Sequence, residues 1–402
     1  MMPEGFFPLS VLQQSRGSLS RVAQCGACGL YKTCRSPKMA VTGKGRRGIL
    51  LVGEAPGTTD DEEGCQLCGD TGRVVEKTLR RFDIDMRKDC WATNALICHP
   101  PHARQPSDAE VTYCRPNLQK TIDTLKPKVV ICFGYAAAKS VIGMAWKGDI
   151  GTASRWTGWQ IPSTKLNVWI CPTHNPAYLV RTKKDRVLEK EFEDQIESAF
   201  ALEGNPWSEI PDYAKDVDVV IDPTLACKAI REIVERGGLC SFDYETNMLK
   251  PDSPKSQIVS ASICWRGKQT IAFPWTRATA EEMSKFLLAK NIKKMAHNMK
   301  FEDRWTKAIL KHRVVGWGWD SMIAAHLVDN RPDITSLKFQ SFVLLGTPSF
   351  DDHIKPYLRT KEGSYEVNRV SSEIDLKDLL LYNGLDSLLE YKIAKKQMEL
   401  FK

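Results

Sequence analysis

Two hydrophobic rhythms alternate along this chain of 402 residues. Short apolar runs bounded by turn formers, Gly48-Ile-Leu-Leu-Val-Gly53, Lys128-Val-Val-Ile-Cys-Phe-Gly134 and Val168-Trp-Ile-Cys171, have the length and bounding of buried strands. The first breaks into Glu54-Ala-Pro-Gly57, the second leads into the helical Ala136-Ala-Ala-Lys-Ser, and the third leads to Pro172-Thr-His174-Asn175-Pro176. Helical stretches, Glu110 to Thr124 and the charged Asp185 to Ala201, lie between and after them. Strands alternating with helices predict an α/β domain, a mostly parallel sheet with helices on both faces. Ligands usually bind such sheets at the carboxyl ends of the strands, where all three loops fall.

A stretch rich in turn formers, Leu202 to Asp212, separates this pattern from a second one, which sets the expected domains at 1–205 and 206–402. Beyond it, Asp216 to Asp222 alternates as a strand and Pro223 to Arg236 has helical spacing, stopped by Gly237-Gly238. Leu239-Cys-Ser-Phe-Asp243 reads as a strand, with Ile258 to Trp265 and Gln269 to Phe273 as hairpin neighbours. Met295 to Phe301 is a short strand entering a helix, with Glu302 and Asp303 at its start. A further helical pattern begins at Leu380, and its Tyr382 and Asp386, four apart, share one face. The segment Leu345 to Ile374, with Asp351-Asp352-His353 and Lys361-Glu-Gly-Ser, has few apolar residues and reads as a surface insertion.

Composition narrows the class. With 42% hydrophobic and 26% charged residues the chain is ordinary for a soluble globular protein. No apolar run approaches the ~18 residues of a membrane span, so no membrane role is expected. The first residues lack the basic and long apolar regions of a signal peptide. The expected location is therefore the cytoplasm, that of an infected host if the chain is phage-encoded. A net charge of +8 favours an acidic partner such as nucleic acid. Ten of the 13 cysteines precede residue 200, a bias that in an intracellular chain points to metal or cluster ligation more than to disulfides.

Two groups of residues carry chemistry. On a strand, Asp243 and Glu245 stand on one face. Like charges so close need a shared proton or cation, and a divalent metal is the economical explanation. The plain alternative is a strand end running into a solvated turn. Cys25-Gly-Ala-Cys28 fits zinc, redox chemistry or a cluster. Together with the distant Cys98 and Cys114 it could supply the four thiolates of an iron–sulfur cluster; the alternative is free cysteines in a reducing compartment.

Gly53-Glu54-Ala-Pro-Gly57, Asp61-Glu62-Glu63-Gly64, Asn94 and His174-Asn175-Pro176-Ala-Tyr-Leu-Val-Arg181 resemble the uracil-DNA glycosylase superfamily, specifically its iron–sulfur (family 4) branch, over about residues 20 to 200. The spacing of Cys25, Cys28, Cys98 and Cys114 resembles that branch too. The resemblance implies a three-layer α/β/α domain, a [4Fe-4S] cluster on those cysteines, DNA as partner, and cleavage of the glycosidic bond of a flipped uracil. It places Glu54, Leu67, Asn94, His174 and Asn175 in the pocket. Two departures set this chain apart. Leu67 stands where the family has an aromatic that stacks on the base, a contact worth ~1–3 kcal/mol. Asn175 stands before Pro176 where the family has histidine, with His174 one place earlier. On an extended segment that shift turns the imidazole to the opposite face, and an asparagine cannot become cationic. The expectation is a DNA-binding domain with glycosylase activity weak or absent.

Asp243-x-Glu245, Asn298-x-Lys300-Phe301-acid and Tyr382-x-x-x-Asp386, with Asp320-Ser-Met and Ala324-Ala-His326-Leu between them, resemble the DEDD-type 3′-to-5′ proofreading exonucleases of family A DNA polymerases over about residues 215 to 402. The resemblance implies a ribonuclease H-like fold and two Mg²⁺ or Mn²⁺ ions on Asp243, Glu245, Glu302 and Asp386, with Tyr382 positioning the water. The family usually has aspartate at the third place. Glu302 is the positional match and Asp303 the reserve, about 100° around the helix. This domain order looks like the front of certain phage replicative polymerases, and a separate family A polymerase subunit is the partner that likeness suggests. The expected function is a proofreading exonuclease acting on single-stranded or frayed 3′ ends. The alternatives are a bifunctional repair enzyme with active uracil excision and a non-catalytic polymerase accessory module.

Overall fold

The computed structural model describes residues 22–182, 185–205, 210–358 and 366–401. The chain divides into two compact units, one within Arg16–Ile210 and one from Pro211 onward. The stretch 206–209, on which the expected boundary falls, lies outside the described residues.

In the first unit five strands, β1 (Ile49–Gly53), β2 (Cys90–Asn94), β3 (Val129–Phe133), β4 (Ile161–Ser163) and β5 (Val168–Thr173), form a sheet of order β2-β1-β3-β5-β4. All its pairings are parallel except β4 with β5. The runs read as buried strands are buried on both faces: every residue of β1 and β3 is inaccessible. The pleat sorts them. Ile49, Leu51, Val129 and Ile131 pack with Val75 and Leu79 of helix Asp70–Arg80 and with Phe192, Ile196 and Ala199 of helix Arg186–Ala201. Their neighbours Leu50, Val52 and Val130 are buried against the other face, where helix Tyr135–Ile142 contacts β1 and β3 and helix Asp108–Leu125 packs on it. The result is an α/β/α sandwich whose strand ends carry Glu54, Asn94 and His174.

The second unit is a mixed six-stranded sheet of order β11-β10-β7-β8-β9-β6, built from β6 (Val217–Val219), β7 (Gly238–Thr246), β8 (Ile258–Trp265), β9 (Gln269–Pro274), β10 (Ile292–Ala296) and β11 (Trp317–Asp320). Strands β7, β8 and β9 form an antiparallel meander, and β10 and β11 continue parallel to β7 on its other side. A central three-strand meander flanked by parallel strands is the ribonuclease H-like arrangement. Phe242 and Tyr244 project into the large apolar cluster with Phe286, Trp305 and Ile230. Their neighbours Ser241, Asp243 and Glu245 therefore face the opposite side, beneath the long helix Leu376–Leu400.

Small residues let that helix lie close to the sheet. Ser241 donates to the carbonyl of Ser387 at 2.6 Å and Ser262 to that of Asn383 at 2.8 Å. Gly384 has no room for a side chain, since a Cβ there would meet Val217 at 2.3 Å. The segment Leu345 to Ile374 is not the solvated insertion that its composition suggests. Phe350 and Ile354 join the core with Leu380 and Leu385, and Val370 is buried, so a few well-placed apolar residues anchor it. Lys361-Glu-Gly-Ser lies outside the described residues.

Candidate functional sites

In the second unit the sheet and the long helix bring Asp243, Glu245 and Asp386 together: each offers an oxygen within 4.8 Å of the others. The strand supplies two acids from one face and the helix one, with Tyr382 a turn earlier on the same side. Burial raises the pKa of Asp243, Glu245 and Glu302 well above the ordinary carboxylate range, and the mutual repulsion of the acids adds to it. Such a cluster is stable only when a cation or protons are supplied. Glu302, in the first turn of helix Met299–Leu310, is 2% exposed, and its Oε2 has no hydrogen-bond partner. After burial, the charge of Asp243 contributes most to the rise in the Glu302 pKa. Hard oxygen donors with one buried oxygen unpartnered fit a divalent ion of the Mg²⁺ class.

Asp303 points elsewhere. It pairs with Arg313 and accepts from the backbone N–H of Val314 at 3.0 Å, closing the turn after its helix, and is not among the three acids that converge. Asp320, also picked out by the motif, accepts from the backbone N–H groups of Met299 at 2.9 Å and Met322 at 3.0 Å, and so caps two helices. Two residues absent from the sequence reading complete the centre. Asn383 donates its amide to Asp243 at 2.6 Å, and Lys338 donates to Asp386 at 2.6 Å and to the Tyr382 hydroxyl at 3.0 Å. Asn383 adjoins Tyr382 in the chain and could have been weighed as its neighbour. Lys338, 44 positions away, gave no local signal.

In the first unit, Glu54 leaves the end of β1 and accepts from the backbone N–H of Ala136 at 3.0 Å and from the Asn175 amide at 2.6 Å. Burial raises its pKa above the usual range. Gly134 leaves the room for this contact, because a Cβ there would lie 2.8 Å from Glu54 and 2.9 Å from Asn175. Asn175 also caps helix Pro176–Arg181 through Ala177, so both ends of its amide are engaged. Glu54, Asn175 and His174 line one pocket with Gln105, Tyr178 and Arg181. The His174 ring lies 3.1 Å from Glu191. Leu67 and Asn94 are not on that lining. Leu67 is 5% exposed and packs in the core, and Asn94 is buried, donating to Gln66 at 2.5 Å while its Oδ1 has no partner.

Cys25, Cys28, Cys98 and Cys114 line a second, small cavity with Leu30, Tyr31, Leu96 and Ile97. All four are free thiols. The backbone N–H of Lys38 donates to the Cys98 sulfur at 3.3 Å and the Asn117 amide to that of Cys114 at 3.5 Å. Four thiols converging in an apolar wall, with N–H groups aimed at two sulfurs, fit an iron–sulfur cluster. Cys34 lies beside Cys98 without joining the lining.

Residues 42–200 match the uracil DNA glycosylase superfamily model. The chain is 32% identical over 167 residues to a type-4 uracil-DNA glycosylase of Pyrobaculum aerophilum, covering 40% of this chain and 81% of that protein. It is 27% identical over 194 residues to the type-4 enzyme of Archaeoglobus fulgidus, covering 48% of this chain and 94% of that protein. Among solved structures, it is similar to Escherichia coli RNase D, described as an exoribonuclease, at TM-score 0.35 and 12% identity, over 46% of this chain and 44% of that one. It is also similar to Brucella melitensis NrnC with bound Mg²⁺, at TM-score 0.32 and 15% identity, over 40% of this chain and 72% of that one. The chain thus spans less than half the length of the RNase D chain.

Proposed function

The chain belongs to the uracil-DNA glycosylase superfamily through residues 42–200, and we propose that it is a metal-dependent 3′-to-5′ DNA exonuclease whose glycosylase-like unit grips DNA with little uracil excision of its own. The observation that carries the nuclease reading is the convergence of Asp243 with the buried Glu245 and Asp386 beside Tyr382. Two Mg²⁺ or Mn²⁺ ions on these acids and Glu302 would supply water activation and stabilisation of charge on the phosphate. The protein's own share is to hold the acids on one strand face and one helix face, and to keep the Tyr382 hydroxyl beside them for orienting the attacking water. Asn383 fixes the first acid by its hydrogen bond.

In the first unit the pocket chemistry supports binding over excision. Asn175 is committed to Glu54 and to its helix cap, the His174 ring pairs with Glu191, and Leu67 is buried in place of a stacking ring. Neither Asn175 nor Leu67 can supply a cation to a departing uracil. Arg181 and the exposed ring of Tyr178 on the pocket rim suit a phosphate and a base. A [4Fe-4S] cluster on Cys25, Cys28, Cys98 and Cys114 would brace the segment that carries them. Proofreading for a separate family A polymerase is the role we assign to the pair, on the order of the sequence motifs.

Digestion of 3′- and 5′-labelled single-stranded DNA with Mg²⁺, run beside uracil release from a labelled oligonucleotide, tests this reading. Shortening from the 3′ end with little uracil release supports it. Rapid uracil release that depends on Glu54 would instead make the protein a bifunctional repair enzyme.

A further inference from the structure

An amine sits inside the carboxylate cluster. Lys338, in the first turn of helix Leu337–Leu345, places its Nζ 2.6 Å from Asp386 Oδ1 and 3.0 Å from the Tyr382 hydroxyl. The same ammonium lies 4.5 Å from the ring centre of Phe350 and 4.6 Å from that of Tyr382. Its side chain is 21% exposed, and its helix is pinned by the buried Leu337, Phe339 and Phe342. This amine is therefore positioned by a packed element and not by a chance surface contact. Aromatic faces and partial burial strengthen its attraction to the carboxylate over that of a surface pair.

An ammonium has only donors to give, so the Tyr382 oxygen must accept from it, and the phenolic proton is left to be donated elsewhere. The same charge offsets part of the repulsion among Asp243, Glu245 and Asp386. It also engages Asp386 Oδ1, one of the two oxygens that this carboxylate could offer a divalent ion. We propose that Lys338 is the resident counter-cation of this centre, a positioning residue that fixes the Tyr382 hydroxyl as a donor and competes with the metal for Asp386. The Tyr382 part rests on the nuclease reading above; the competition for Asp386 does not.

The role has a signature that loss of a merely structural lysine lacks. Removing the charge tightens metal binding while it slows turnover, whereas damage to the fold weakens both. The test uses the full chain with Lys338→Met, Lys338→Gln, Lys338→Arg and Tyr382→Phe, and thermal melts identify folded variants. Mn²⁺ binding without DNA is read by titration, and kcat and KM are read on 3′-labelled single strands at saturating metal. Lys338→Met and Lys338→Gln are expected to bind Mn²⁺ about tenfold tighter, and Lys338→Arg within about twofold of the parent. Lys338→Met lowers kcat about tenfold with KM nearly unchanged, and that loss disappears in the Tyr382→Phe background, as residues acting through one another require.

Unchanged or weaker Mn²⁺ binding in folded Lys338→Met or Lys338→Gln overturns the counter-cation role, and a kcat loss that persists in full beside Tyr382→Phe overturns the positioning role. If the parent shortens no 3′ end but the charge-removing variants still bind Mn²⁺ tighter, the nuclease reading and the positioning role fall, and the competition for Asp386 stands.

Discussion

Asn383 donates its amide to Asp243 at 2.6 Å while its own oxygen accepts from Ser260 at 3.1 Å, so the first acid of the centre is oriented by a residue 140 positions further along the chain. Partners that orient a ligand typically govern metal affinity by about 10–100-fold. Asn383→Ala should weaken Mn²⁺ binding by about that factor. A titration at constant pH gives the answer, and an unchanged affinity would mean that the strand alone fixes Asp243.

Glu302 and Asp303 are adjacent yet differently employed. Glu302→Ala should lower the exonuclease rate about 10³-fold, the equivalent of ~4 kcal/mol in the barrier, with the fold retained. Asp303→Ala should keep the rate within a few-fold and instead lose about 1 kcal/mol of stability, because the Val314 N–H loses its acceptor. Denaturant titration beside the rate measurement separates the two, and a silent Glu302→Ala would reverse the assignment.

The sequence made much of this centre visible because its acids sit at spacings with direct geometric meaning. Two residues apart on a strand puts Asp243 and Glu245 on one face, and four apart on a helix does the same for Tyr382 and Asp386. The buried strands of the first unit, Ile49–Gly53 and Val129–Phe133, were legible for the same reason, as bounded apolar runs. What stayed hidden depends on contacts between distant elements. Lys338 reads as one more helical lysine until Phe350 and the long helix close over it. Composition alone suggested a solvated insertion around Phe350, Ile354 and Val370, because a few apolar residues in a polar stretch are enough to anchor it but too few to form a period. Leu67 occupies the expected place in the order of motifs, yet its burial is set by packing with β1 and helix Asp70–Arg80, which no local pattern records.

Glu390 gives a pH dependence with a definite sign. It is 2% exposed, accepts from Ser321, and leaves Oε1 unpartnered. Burial raises its pKa to about 8 from an ordinary 4.5, with the nearby Asp320 adding to the effect. His297, 3.8 Å away, is held neutral by burial, its pKa lowered to about 4, and does not compensate it. A raised carboxyl pKa means that stability is fully present below the ordinary value and is lost as pH rises through about 8. In metal-free protein Glu390→Gln should therefore melt close to the parent at ~pH 5 and clearly above it at ~pH 9. A Glu390→Gln melt that stays level with the parent at both values would show that Glu390 is not the titrating group.

The cysteine cavity separates ligands from bystanders. Replacing Cys98 with serine should abolish the visible absorption of protein reconstituted anaerobically with iron and sulfide, because it removes one of the four sulfurs on the lining. Cys34→Ser should leave that absorption in place, since Cys34 lies beside Cys98 but off the lining. The reverse result would exchange the two in the ligand set.

The most direct test of the metal-dependent exonuclease is the rate at which 3′-labelled single-stranded DNA is shortened with Mg²⁺ by the parent protein and by Asp243→Ala, each checked for an intact fold. The account predicts shortening by the parent that chelation stops, and a loss of about 10³-fold or more in Asp243→Ala, or ~4 kcal/mol of barrier. Shortening at the parent's rate by folded Asp243→Ala would contradict it.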